Sequence, residues 1–255
     1  MPDPSPERVR IDRAGGVAHV SLARGDKHNG LDAAMFEAIN AALDELEDDD
    51  DLRAVVLAGD GPSFCAGLDF KSFAAGGGLD PDRGFERAEG EDANHAQRVA
   101  YGWRQLPVPV IAALQGACFG GGLQIALAAD IRIAAPDTRL SVMEIRYGLI
   151  PDMSLSRTLP GLVRDDVARE LTYSGRIVEA AEALELGLVT RIAEDPVAEA
   201  SELAQGIATA PPAAIRSAKR LLNEARGLSA ADGLALEAEL QRALVSAGLP
   251  AAAGA

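Results

Sequence analysis

The stretch Val110 to Asp130, VIAALQGACFGGGLQIALAAD, constrains this chain most. Val110 to Leu114 is a short apolar run framed by Pro107 and Pro109 on one side and Gly116 on the other, which predicts a buried strand. Gly120, Gly121 and Gly122 then lead into Leu123 to Ala129, which has the composition of a buried helix. Glycines at a helix start let a ligand approach the backbone, and the first helical amides lack intrahelical acceptors, so they can face an anion or a developing negative charge. The same order also suits a tight helix start packed against a neighbour.

A 255-residue chain that is 48% hydrophobic can bury one sizeable core or a core with a small appended element. Aromatic residues make up only 4%, so that core is built from small aliphatic side chains. A net charge of −15 argues against nucleic acid, whose binding draws on clustered Lys and Arg, but leaves an anionic small ligand open. Cys65 and Cys118 stand far apart without metal-ligand spacing, and a reduced, cytoplasmic protein is expected. No apolar run approaches the roughly 18 residues of a membrane span, and MPDPSPERVR has no apolar signal core and reads as a short tail.

Val9 to Asp12 and Val17 to Leu22 read as two strands joined at Gly15-Gly16. Arg24 to Gly30 reads first as a solvated polar turn. Asp32 stands at an N-cap position, and apolar residues at helical spacing predict a helix to about Glu47. Asp48 to Asp51 is an acidic turn without the spacing of a calcium loop. Ala54 to Gly59 is a compact strand, followed by Ser63 to Lys71 with Gly67 in its turn. Gly76 to Gly78 and Pro81 to Asp92 suggest a surface excursion, and Ala93 to Gln105 returns to helix. Strand, glycine turn and helix have then occurred twice, which predicts an α/β fold.

Ile131 to Ala134 reads as a strand, and Leu140 to Ile145 sets Glu144 among apolar neighbours. Asp152 follows the turn at Pro151 and could cap the next segment. Arg164 to Tyr173 and Val178 to Leu186 have helical spacing, Leu188 to Ile192 reads as a strand, and the pattern from Pro196 onward is helical.

Taken together, RGDKHNGL at 24–31, SFCAGLD at 63–69, residues 107–130, residues 144–151 and YSGRIVEAAEALELGLVTRI at 173–192 resemble the crotonase superfamily, the enoyl-CoA hydratase/isomerase fold. The resemblance implies a spiral of repeated ββα units over residues 1–195 carrying the acyl-CoA site. It also implies a helical region over residues 196–255 that helps form trimers or hexamers. The substrate it implies is a coenzyme A thioester, coenzyme A being part of the substrate, with no metal and no separate cofactor expected.

By motif position, the backbone N–H groups of Leu68 and Gly121 would form an oxyanion hole for the thioester oxygen, with Ala66, Gly67, Gly120 and Gln124 lining the substrate. Such amides stabilise the charge that develops when a proton leaves the carbon next to a thioester. Glu144 matches a catalytic glutamate of the family and is the candidate general base. The hydratases' other glutamate falls at Gln124, and an amide cannot exchange a proton at neutral pH. The spacing from Glu144 to Asp152 resembles the Glu and Asp pair of dienoyl-CoA isomerases, although those enzymes carry an Asp where this chain has Gln124. Isomerisation of an unsaturated acyl-CoA is therefore the expected chemistry, with hydration of a 2-enoyl-CoA and non-catalytic acyl-CoA binding as alternatives. Arg24, Lys27, His28 and Lys71 are candidates for the coenzyme A end. His19, His28 and His95 lie outside the catalytic motifs and read as structural. A dinucleotide fingerprint and a serine peptidase triad are both missing from the pattern.

Overall fold

The computed structural model of the chain describes residues 7–72 and 85–248. The expected excursion at 76–78 and residues 81–84 of its continuation fall outside these residues, as does the proline-rich start. Strands β1 (Val9–Ala14) and β2 (Val17–Leu22) form an antiparallel hairpin in which Ala14 pairs with Val17. Its two-residue turn places Gly15 at φ 59° and Gly16 at φ 79°, the left-handed pair that a twist-matched hairpin turn requires. From β2 the sheet continues in parallel through β3 (Ala54–Gly59), β4 (Val110–Leu114), β6 (Ile131–Ala134) and β9 (Arg191–Ile192), in the order β1-β2-β3-β4-β6-β9. A second, three-stranded sheet joins β5 (Ala117–Phe119), β7 (Arg139–Ser141) and β8 (Val178–Glu179).

Parallel neighbours need crossovers, and helices supply them. Helix α1 (Ala33–Glu47) links β2 to β3; Asp32 caps it by accepting from the Met35 amide at 2.9 Å. Its buried stripe, Met35, Phe36, Ile39, Leu43 and Leu46, recurs at helical spacing, and each fully buried side chain of this size contributes about 1.5–3 kcal/mol. Helix α2 (His95–Gln105) links β3 to β4 and opens with a reciprocal capping box between Asn94 and Gln97. Every residue of β4 is buried, as a central parallel strand covered on both faces must be.

One face of the large sheet carries the main core, where Phe36, Trp103 and Leu123 pack. The other face, with Val17, Val56, Ile111 and Ile133, is closed by Ala200 and Ala204 of helix α6 (Pro196–Ala208), counting α3 (Gly121–Ala128), α4 (Asp165–Ser174) and α5 (Ala180–Leu186) before it. Thus the first helix after residue 195 is part of the core packing. Helix α7 (Pro212–Glu224) is tied in by Lys219, whose Nζ donates to Asp130 Oδ2 at 2.8 Å and to the Val108 carbonyl at 2.7 Å. Helix α8 (Ala230–Ser246) follows and leaves Leu234 and Val245 exposed.

Three local expectations change. Val178 and Glu179 pair with β7 before α5 begins, because the second sheet takes up a segment whose spacing alone reads as helix. Only Arg191 and Ile192 of the stretch from Leu188 form a strand, since the Leu188 amide closes the end of α5 on the Ala183 carbonyl. The Arg24 to Gly30 loop is not a solvated turn throughout. Asn29 is fully buried at φ 53°, and its Nδ2 donates to the carbonyls of Asp60, Ser63 and Phe64 at 3.0, 2.8 and 3.0 Å.

Candidate active site

Two backbone crossings build the floor of the site. In the first, the Leu31 amide donates to the Gly67 carbonyl at 2.8 Å and the Asp69 amide donates to the Leu31 carbonyl at 3.0 Å. This parallel bridge turns the intervening Leu68 N–H toward the opposite side. Gly67 sits at φ 86°, and a Cβ there would lie 2.7 Å from the Phe119 carbonyl and 3.6 Å from the Gly121 nitrogen. Only glycine tolerates both that conformation and that approach. In the second crossing, β5 ends at Phe119 and α3 starts at Gly121, whose N–H has no acceptor within the helix. Neither the Leu68 nor the Gly121 N–H donates to another backbone carbonyl among the described residues.

The three glycines at 120–122 meet different constraints. Gly120 has φ 52°, and a Cβ there would point at Glu144 Oε1 from 3.4 Å. A Cβ on Gly121 would press Leu31 at 2.9 Å and Met153 at 3.0 Å, and one on Gly122 would overlap the Cys65 carbonyl. The first glycine therefore makes room for the carboxylate, the second lets α3 settle against Leu31 and Met153, and the third lets it settle against the segment of Cys65.

Above this floor lies a cavity of about 400 Å³, within the range of small-molecule sites. Ala66, Gly67, Leu68, Gly120, Gly121, Gln124, Glu144 and Asp152, all singled out from the sequence, line it together. The aromatic part of the wall was not legible in the sequence: Phe36 comes from α1, Phe85 from beyond the glycine-rich segment, and Phe70 stacks on Tyr147 with ring centroids 4.2 Å apart. A weak signal existed, since Phe70 and Tyr147 each follow a site residue by two or three positions.

Glu144 opens a 3₁₀ turn, Glu144–Tyr147, after β7, and is 8% exposed. Its Oε1 accepts from Gln124 Nε2 at 2.7 Å, while its Oε2 is buried and without a partner among the described residues. Burial raises its pKa above the ordinary glutamate value; the donor from Gln124 opposes that shift, and the charge of Asp152 adds to it. Asp152 stands at the rim with part of its surface exposed, and partial burial moves its pKa upward as well. It makes no capping bond to the turn of helix at Leu155–Thr158, whose preceding residue is Ser154 at φ 77°.

The basic candidates do not reach the cavity wall. Arg24 is turned inward: its guanidinium meets Asp69 at 2.8 Å, Asp32 at 3.5 Å and the Gly30 carbonyl at 2.8 Å. An arginine so engaged holds the loop to the segment of Leu68. Lys27, His28 and Lys71 are exposed, and His28 Nδ1 lies 2.9 Å from the Ser63 hydroxyl. Among the described residues no group of three or more His, Cys, Asp or Glu could hold a metal ion, and no helix is long and apolar enough to cross a membrane.

A buried carboxylate beside two unengaged amides in an apolar cavity can move protons at a carbon next to a carbonyl, and comparison with known proteins agrees with that class. The family profile described as Enoyl-CoA hydratase/isomerase matches residues 12–248. The chain is 37% identical over 224 residues to the Bacillus subtilis (strain 168) protein YngF, which carries an enoyl-CoA hydratase/isomerase name, covering 87% of this chain and 83% of that one. It is 32% identical over 221 residues to the mitochondrial Delta(3,5)-Delta(2,4)-dienoyl-CoA isomerase of Mus musculus, covering 80% of this chain and 64% of that one. The crystal structure of an enoyl-CoA hydratase from Bacillus anthracis superposes with a TM-score of 0.85 at 31% identity, covering 94% of this chain and 91% of that one. This chain belongs to the enoyl-CoA hydratase/isomerase family, the crotonase superfamily.

Proposed function

We propose that the protein isomerises the double bond of an unsaturated acyl-CoA thioester, with Glu144 as the base. The observation that carries this reading is the state of Gln124. Its amide is buried, donates to Glu144 and accepts from the Met153 and Leu155 amides at 2.8 and 3.3 Å. It is therefore engaged on both sides, and the carboxylates on the cavity wall are Glu144 and Asp152. One base that takes a proton from one carbon and returns it to another suffices for isomerisation.

In the step so proposed, the unpartnered Oε2 of Glu144 takes a proton from the carbon between the thioester carbonyl and the alkene. The C–H electron pair moves into a dienolate, with charge on the thioester oxygen, where the N–H groups of Leu68 and Gly121 receive it. Glu144 then gives the proton back at the far end of the dienolate; for a longer conjugated system a protonated Asp152 gives its own proton there, and the pair is reset when Glu144 loses its proton and Asp152 regains one through solvent. No metal or separate cofactor is needed. The coenzyme A end would lie toward Lys27, His28 and Lys71, and the helices that follow α6 would serve a trimer or hexamer.

Hydration is the second reading, supported by two carboxylates on one wall, between which a water could be held. The deciding experiment supplies 3-enoyl-, 3,5-dienoyl- and 2-enoyl-CoA in turn and follows ultraviolet absorption and product mass. The expected result is a shifted double bond at unchanged mass. Faster addition of water to the 2-enoyl thioester would overturn isomerisation, and binding with no turnover of any of the three would overturn both reactions.

A further inference from the structure

Gln124 has a function that the cavity lining alone does not convey. Helix α3 carries it 1% exposed, and each polar atom of its amide is used. Nε2 donates to Glu144 Oε1 at 2.7 Å. Oε1 accepts from the amides of Met153 and Leu155, at 2.8 and 3.3 Å. Those two amides flank Ser154, a non-glycine residue at φ 77°. Backbone in that conformation makes successive N–H groups converge on one acceptor, and it is strained for a residue with a Cβ. The turn that presents Asp152 is thus gathered around one oxygen of Gln124, and the base is held by the nitrogen of the same group.

We infer that Gln124 is a positioning residue that fixes Glu144 and the Asp152 turn relative to each other and leaves Glu144 Oε2 as the atom that exchanges the proton. The inference rests on Glu144 being the base. Its geometric content is a choice between two carboxylate oxygens. Oε1 is occupied by the amide and Oε2 has no partner, so a substrate proton meets a free lone pair at one defined place. Its electrostatic content is that an amide donor favours the ionised carboxylate without bringing a charge of its own. A carboxylate in place of Gln124 would have to hold a proton to make the same bond, so the two acids would titrate as a pair. The titratable group that faces Glu144 from the packed turn is Asp152, and its own turn carries Arg146 and Tyr147.

The test compares Gln124→Met, which keeps length and removes both polar functions, with Gln124→Glu, which keeps both when protonated. The substrate is whichever unsaturated acyl-CoA the wild type turns over fastest. Loss of a hydrogen bond to a charged group predicts a fall in kcat/KM of roughly ten- to a hundredfold for Gln124→Met. The acid limb of its pH profile moves to higher pH, because burial then meets only the backbone donor of Glu144 itself and no longer the Gln124 amide. Gln124→Glu recovers rate only over the pH range in which the pair keeps one proton, giving a narrower bell. An acid limb in the wild-type position for both variants overturns the inference, whether or not thermal stability falls, since a purely structural residue would give that result. If Gln124→Met does not fold, the Gln124→Glu profile decides alone: a bell of wild-type width and position overturns it. Glu144→Gln is measured alongside. If that variant keeps full activity, the assignment of the base fails, whereas an inactive Glu144→Gln with unshifted Gln124 variants removes only the positioning role.

Discussion

Glu144 and Asp69 are both acids held close to the backbone turns that form the cavity floor, and they are supplied with partners in opposite ways. Asp69 receives the Ser72 amide at 3.1 Å, the Ser72 hydroxyl at 2.9 Å and the Arg24 guanidinium at 2.8 Å. Burial alone would raise its pKa, but the two Ser72 donors and Arg24 outweigh it and hold the carboxyl down at about 2. Glu144 has one side-chain donor, from a neutral amide, and one oxygen with none, so burial prevails and its pKa rises. The fold completes the hydrogen bonding of the acid that braces the segment of Leu68 and leaves incomplete that of the acid facing the cavity. A charge satisfied on all sides resists changing its protonation state, whereas an under-satisfied one stands ready to change it.

The largest effect expected from this contrast is on turnover. Removing a general base typically costs about 100- to 10,000-fold, so Glu144→Gln should lower kcat by that order. Asp69→Asn should lower it by less than about tenfold, because Asp69 acts on the site only through the backbone it steadies. The wild-type acid limb should lie above the ordinary glutamate pKa of 4.5, since Glu144 must be ionised to act and burial favours its neutral form. Steady-state rates across pH for both variants check this. Equal losses for the two would erase the distinction between the acids.

Much of this arrangement could be read in the sequence where local chemistry is decisive. The strand-to-helix turn at 119–121, the Asp32 cap and the Gly15-Gly16 hairpin follow from glycine conformation, capping and periodicity, which are properties of a few neighbouring residues. The buried state of Asn29 was not legible, because its three acceptors lie more than thirty positions away and only the tertiary fold brings them to it. For the same reason Arg24, a plausible phosphate ligand in sequence, proves to be engaged by Asp69. The short β8 strand was hidden because it gains its identity from pairing with β7, not from any periodicity of its own. Gln124 was legible as a site residue, but its bonds to Met153 and Leu155 depend on the positive φ of Ser154, which nothing in that residue's type announces.

A smaller effect separates the two acids in stability. The Asp69 carboxyl titrates at about 2 in the folded protein against an ordinary value of 3.8. A depressed pKa means that its stabilising contribution is fully present above the unfolded value and is lost as pH falls through the folded one. Asp69→Asn should therefore be less stable at pH 7 by about 1 kcal/mol, a value reduced for partial contact with solvent. The difference should shrink between about pH 4 and pH 2, when the wild type loses the same charge. Urea unfolding of both proteins at these pH values measures it, and a difference that persists at pH 2 would show that the charge held by Ser72 and Arg24 is not its source.

The smallest expected change has the opposite sign. The folded pKa of Glu144 is raised above its ordinary value of 4.5, so between 4.5 and the raised value the native state binds more protons than the unfolded state. Its contribution is most favourable below the unfolded pKa and is lost as pH rises through the folded one, where the carboxylate must carry its charge in an apolar wall. Glu144→Gln removes that charge and keeps an oxygen able to accept from Gln124. The variant should be more stable than wild type at pH 8, even though it has lost activity. At pH 4, where the native glutamate is neutral, the gain should vanish. Lower stability of the variant at pH 8 would mean that the ionised carboxylate is well supported after all, and the contrast with Asp69 would then reside in turnover alone.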